Sequence, residues 1–126
     1  MNDKEPVFDI VERAFNFAVR VVKLCQYLEK KTEVSRTLIS QLLDSGSSEG
    51  ANLEEAEAGQ SRRDFVHKNA IALKEARESR YWLKLISATY KLDDKVMSGV
   101  GDLIDEVGQL ARIIAKIKIN AQKERP

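Results

Sequence analysis

Proline is almost absent from this chain of 126 residues: Pro6 and Pro126 stand at its two ends, and positions 7–125 hold none. The strongest helix breaker is therefore missing from the interior, which points to long helices. Cysteine occurs once, as Cys25, so no internal disulfide can form. Because Cys25 falls on an apolar stripe, it reads as a small buried hydrophobe and not as a reactive thiol. Histidine also occurs once, as His67. Catalytic triads and zinc sites need histidines or cysteines that the chain lacks, and no phosphate-binding glycine loop is present. A di-iron bundle centre takes a Glu from each of two helices and a Glu-x-x-His from each of the other two, which a single histidine cannot supply. The expectation is a protein without catalytic residues, metal or cofactor, with His67 at a surface or interface.

Long hydrophobic runs are missing as well. Nothing approaches the roughly 18 to 20 apolar residues needed to cross a bilayer. The start Met1-Asn2-Asp3-Lys4-Glu5-Pro6 lacks the basic, then apolar, pattern of a secretion signal. These absences predict a cytoplasmic protein with no membrane contact. An excess of one charge is absent too: the formal net charge is +1, so any nucleic-acid binding must rest on local patches. With 43% apolar and 33% charged residues, the composition excludes disorder of the whole chain and fits one domain with one core.

Periodicity divides residues 1–126 into four helices at about 7–31, 34–57, 61–92 and 94–122. In the first, Val7, Val11, Ala14, Ala18, Val21, Cys25 and Leu28 alternate spacings of four and three along one seam. Phe8, Phe15 and Val22 flank it on one side and Ile10, Phe17 and Leu24 on the other. The last helix repeats the pattern with Val96, Val100, Leu103, Val107, Leu110, Ile114 and Ile117, beside Met97, Ile104, Ile113 and Ile119. Both apolar arcs are wider than one four-helix core requires, which predicts burial between subunits. Gly99, Gly101 and Gly108 lie inside the last pattern at a cost of about 1 kcal/mol each relative to alanine, marking either a close helix approach or a frayed first turn. Ser61 is a good N-cap for the third helix, and Asp93 for the fourth.

In the second helix, local composition and periodicity disagree. Asp44-Ser45-Gly46-Ser47-Ser48-Glu49-Gly50 reads locally as a loop, yet Ile39, Leu43, Gly46, Gly50 and Leu53 continue one stripe without a phase slip. Its small residues predict a close, partly polar contact with the third helix. Asn52, Glu55, Lys74 and Glu78 are the polar residues nearest that contact. Since a buried amide or charge costs several kcal/mol unless paired, Asn52 and Glu55 are expected to bond to the third helix, Lys74 being one partner.

Several of these residues carry a resemblance. Ser47-Ser48, Ala51-Asn52, Glu55-Ala56, Ser61, Asp64-Phe65, Lys68, Ala72-Leu73-Lys74-Glu75-Ala76, Glu78 and Tyr81-Trp82-Leu83 span about a third of the chain in a specific order. In them the chain resembles the four-helix bundle family encoded in the intervening sequences of bacterial 23S rRNA genes, itself similar to the accessory subunit of diversity-generating retroelements. The resemblance implies an all-α, up-down-up-down antiparallel four-helix bundle whose second helix runs unbroken through the small residues. It also implies a ring-like homopentamer, no enzymatic activity, and association with RNA or a ribonucleoprotein. The near-neutral charge departs from the retroelement proteins and argues against strong nonspecific nucleic-acid binding.

Arg13, Arg20, Lys23 and Lys30 share an exposed strip of the first helix, interleaved with Asn16 and Tyr27, and are the candidate phosphate contacts. The competing reading is a solvated face, since acids gather at helix starts and bases at helix ends as macrodipoles favour. A second basic zone, Arg112, Lys116, Lys118, Lys123 and Arg125, lies in an antiparallel bundle at the end opposite Lys30 and Lys31. The alternative function is a protein-binding scaffold or accessory subunit, for example one that docks a polymerase, without direct nucleic-acid contact.

Overall fold

The computed structural model describes residues 6–123, with side-chain surroundings from Ile10 onward. Val7 of the first seam, Phe8 beside it and Arg125 of the terminal basic zone therefore lie outside the side chains described. Four helices follow in order: α1 (Pro6–Lys31), α2 (Arg36–Glu57), α3 (Arg62–Thr89) and α4 (Asp94–Lys123). Each packs on its chain neighbours, and α4 closes back on α1, so the elements form a four-cornered antiparallel bundle.

The caps are local and polar. Ser35 Oγ accepts from the amides of Thr37 and Leu38 at the start of α2. Ser61 Oγ accepts from the Asp64 amide at 3.1 Å, and Asp93 Oδ1 from the Lys95 amide at 2.9 Å. The third helix ends at Thr89, three residues before the sequence pattern does. Tyr90 turns extended there, at φ −124° and ψ 142°, and its hydroxyl accepts from the Ser35 amide at 3.2 Å. That bond ties the α1–α2 and α3–α4 turns at one end of the bundle.

The second helix is continuous. Its serines, poor helix formers when their hydroxyls compete with the backbone, are turned back onto carbonyls of the same helix: Ser45 on Gln41 and Ser47 on Leu43, at 3.0 and 2.8 Å. Tertiary closeness supplies the rest. A Cβ on Gly46 would stand 2.7 Å from Val21 Cγ1, and one on Gly50 would stand 3.4 Å from the Ala14 carbonyl oxygen. The glycines thus seat α2 against α1, whereas the sequence reading sets the small residues against the third helix. Positions 45 and 49 turn about 100° away from 46 and 50 on the helix, and it is Ser45 that meets α3, accepting from Ser79 Oγ at 3.1 Å. Leu43, assigned to the stripe by spacing, is more than a third exposed, and Leu42 is buried in its place.

The core joins Ile10, Ala14, Phe17, Val21 and Leu28 of α1 to Leu42 and Leu53 of α2, Ala72, Ala76, Leu83 and Ile86 of α3, and Val100, Val107, Leu110 and Ile114 of α4. None of the helices is long and apolar enough to cross a membrane.

Candidate functional site

The strip on α1 is not uniform. Arg13 is committed to α4: its Nη2 donates to Glu106 Oε1 at 2.8 Å and to Gln109 Oε1 at 3.2 Å, and its Nε donates to Glu106 Oε2 at 3.2 Å. This two-pronged bond is the geometry that guanidinium and carboxylate favour. It makes Arg13 a stitch between α1 and α4. Arg20, Lys23 and Lys30 are exposed and form no ion pair with a described residue. Phe15, 57% exposed, and Val19 lie on the same helix beside these cations. Ile119, on α4, is 47% exposed.

The four polar residues assigned to the α2–α3 contact are held in different ways. Glu55 does reach α3, through Lys68 Nζ at 2.7 Å. Asn52 donates to the Ser48 carbonyl of its own helix at 2.9 Å. Lys74 and Glu78 face one another one turn apart on α3 at 4.0 Å, Lys74 well exposed and Glu78 half-buried. The buried polar groups are others: Ser45, Glu49, Asn69 and Ser79. Asn69 is satisfied by the Phe65 carbonyl at 2.8 Å, and the two serines by one another and by their own helices.

Glu49 is fully buried, and neither carboxylate oxygen has a hydrogen-bond partner among the described residues. Burial pushes its pKa up to about 9. The Gly50 amide, short of a proper hydrogen bond, pulls the other way, and the Glu106 charge adds a smaller upward push. Glu49 is therefore an uncharged acid at neutral pH. Cys25 is equally inert, since burial, and after it Glu29, hold its thiol up at about 11. His67 is exposed. No group of three or more His, Cys, Asp or Glu side chains among the described residues could hold a metal ion.

Among the described residues, two clefts open on α3 and α4. One, of about 590 Å³, crosses the outer face of α3 and is lined by Lys74, Arg77, Glu78, Tyr81, Trp82 and Lys118. Tyr81 is 59% exposed and meets Trp82 edge to face, ring centroids 5.2 Å apart at 77°. The other, of about 190 Å³, lies around Gly108 between Arg80 and Arg112, with Asp105 and Gln109 at its border. Arg80 carries no sequence signal, because its meeting with Arg112 depends on the α3–α4 register. Periodicity could have shown only that Arg77, Arg80 and Lys84 recur on one side of α3.

No curated protein matches the sequence. A crystal structure from Bacteroides thetaiotaomicron, described as a protein with unknown function from the S23 ribosomal protein family, superposes with a TM-score of 0.78. It is 34% identical, over 86% of this chain and 97% of that one. The family model for 23S rRNA-intervening sequence proteins matches residues 7–113, which takes in three of the helices and most of the fourth. With that match and a solved relative of the same architecture, the chain belongs to the 23S rRNA-intervening sequence protein family.

Proposed function

We propose that this protein acts by association and not by catalysis: it assembles with copies of itself, and the assembly binds RNA or a ribonucleoprotein in the cytoplasm. The observation that carries the reading is the composition of the α1 surface, where Phe15 and Val19 stand exposed next to Arg20, Lys23 and Lys30, none of them ion-paired with a described residue. Large apolar side chains left in water favour burial against another subunit. Unpaired cations at helical spacing favour a polyanion. Five copies is the number that the family resemblance supplies.

Light scattering gives the first test, since a mass near the 14.3 kDa of one chain would refute assembly. For the second, Arg20, Lys23 and Lys30 are replaced together by glutamine. Each neutralised phosphate contributes about 0.7 to the slope of log affinity against log salt for single strands, so the triple variant should bind RNA more weakly and with a shallower slope. Binding that ignores salt in the parent protein would favour the protein-scaffold function instead.

A further inference from the structure

We infer that the groove between α3 and α4 seats single-stranded RNA, with a backbone phosphate lodged over Gly108 between Arg80 and Arg112 and a base stacked on Tyr81. This rests on the RNA reading above and assigns it a surface that the α1 strip does not include.

The phosphate seat follows from the arginines. The point where a Gly108 Cβ would stand lies 3.4 Å from Arg80 Nε and 3.9 Å from Arg112 Nη1. Two positive groups from different helices thus converge on one spot, and neither ion-pairs with a described residue. Like charges brought this close raise each other's energy, and an anion between them reverses the sign. Asp105 borders the seat without forming an ion pair with either. Glycine at position 108 puts no side chain of its own there, at a cost to helix stability relative to alanine. Guanidinium groups suit phosphate because their planar fork presents paired donors.

A polymer fits better than a lone anion because positive charge continues from the seat onto the outer face of α3. Arg77 lies one turn before Arg80 on α3, and Lys118 lies about 9 Å beyond Arg112 at 1.5 Å per residue on α4. Arg77 and Lys118 line the larger cleft with Tyr81 and Trp82. The acid in that cleft, Glu78, faces Lys74, which leaves Arg77 and Lys118 in excess. Tyr81 supplies what an acidic peptide would not use: an exposed ring, its orientation set by the edge contact with Trp82, available to an unpaired base.

The test is anisotropy of a labelled oligouridine titrated with the assembled protein at two salt concentrations. Three variants are compared, each checked for unchanged mass and helicity: Arg80→Gln with Arg112→Gln, Tyr81→Ala, and Gly108→Leu. The double arginine variant should lower the salt slope by about 0.7, for the one phosphate it no longer neutralises. Loss of the stacking ring should weaken binding roughly 5- to 150-fold with the slope kept. Gly108→Leu fills the seat while keeping every charge, so it should weaken binding too, which diffuse electrostatic attraction would not produce. Parent-like affinity in any of the three folded variants overturns the groove while leaving RNA association standing. A parent protein that binds no oligouridine overturns the functional reading and the groove with it. If poly-glutamate displaces the RNA at equal monomer concentration, the groove recognises acidic protein and the RNA assignment fails.

Discussion

The helices α2 and α4 both carry glycines at positions where alanine would make a better helix, yet they join the bundle by opposite means. In α4 the core contact is made by side-chain volume: Val100, Leu103, Val107, Leu110 and Ile114 are buried, and Cβ atoms on Gly99 and Gly101 would meet nothing within 4 Å. In α2 the contact is made by backbone closeness: Gly46 and Gly50 let α1 approach, and the buried residues beside them include Ser45 and Glu49. A helix held by volume can be recognised from its own period. One held by closeness depends on its neighbours, and whatever polar groups lie on its inner side are carried into the core with it. Glu49 is the outcome in this protein.

The strongest way to break the comparison is to change pH. In the unfolded chain Glu49 loses its proton near the ordinary value of 4.5, whereas the folded protein keeps it up to about 9. Between these limits unfolding releases a proton, so stability falls as pH rises, by up to about 1.4 kcal/mol per pH unit, and the loss levels off once the folded form also ionises. Glutamine cannot ionise. Urea midpoints of Glu49→Gln against the parent should therefore show little or no gain near pH 5 and a gain that grows toward pH 9. A difference that stays constant with pH would mean that Glu49 is solvated in solution.

How much of this was legible in the sequence follows the same division. The seam of α4 from Val96 to Ile117 and the broad arc of α1 can be read from spacing, because side-chain volume writes itself into hydropathy. The Ser61 and Asp93 caps are legible for a like reason, since their bonds are local. The continuity of α2 was not decided by its own residues, because the serine bonds and the approach of Val21 that hold it helical are properties of the folded state. An acid among small residues reads as solvent-facing, and nothing within one turn of Glu49 says otherwise. Arg13 looked like its neighbours on the strip, but Glu106, its partner, is 93 residues away. Arg80 and Arg112 are joined only by the register of two helices.

A second break acts on the α1–α2 approach. Replacing Gly46 with leucine places a large side chain where even a Cβ would stand 2.7 Å from a Val21 methyl, and valine's branched side chain has few rotamers with which to yield. Overpacking of this kind costs roughly 1 to 3 kcal/mol, so the thermal midpoint should fall by several degrees. The companion Val21→Ala makes room, and the double variant should recover part of the loss, whereas two independent effects would add. Simple addition, or an unshifted midpoint for Gly46→Leu, would show that α2 does not lean on α1 through this glycine.

The smallest effect should have the opposite sign. Gly101, exposed on α4 with open space around its missing side chain, weakens the helix no less than Gly46 does but serves no contact within the chain. Alanine there reduces the freedom of the unfolded chain and costs nothing in packing, so Gly101→Ala should stabilise by about 0.5 to 1 kcal/mol. Measured by urea titration at a fixed protein concentration, that gain would set the two helices apart by sign: a side chain added at a glycine is harmful where backbone closeness holds the helix and helpful where volume holds it. A loss at Gly101 instead, accompanied by a lower mass in light scattering, would mean that this glycine too serves a close approach, one made between subunits and absent from the single chain.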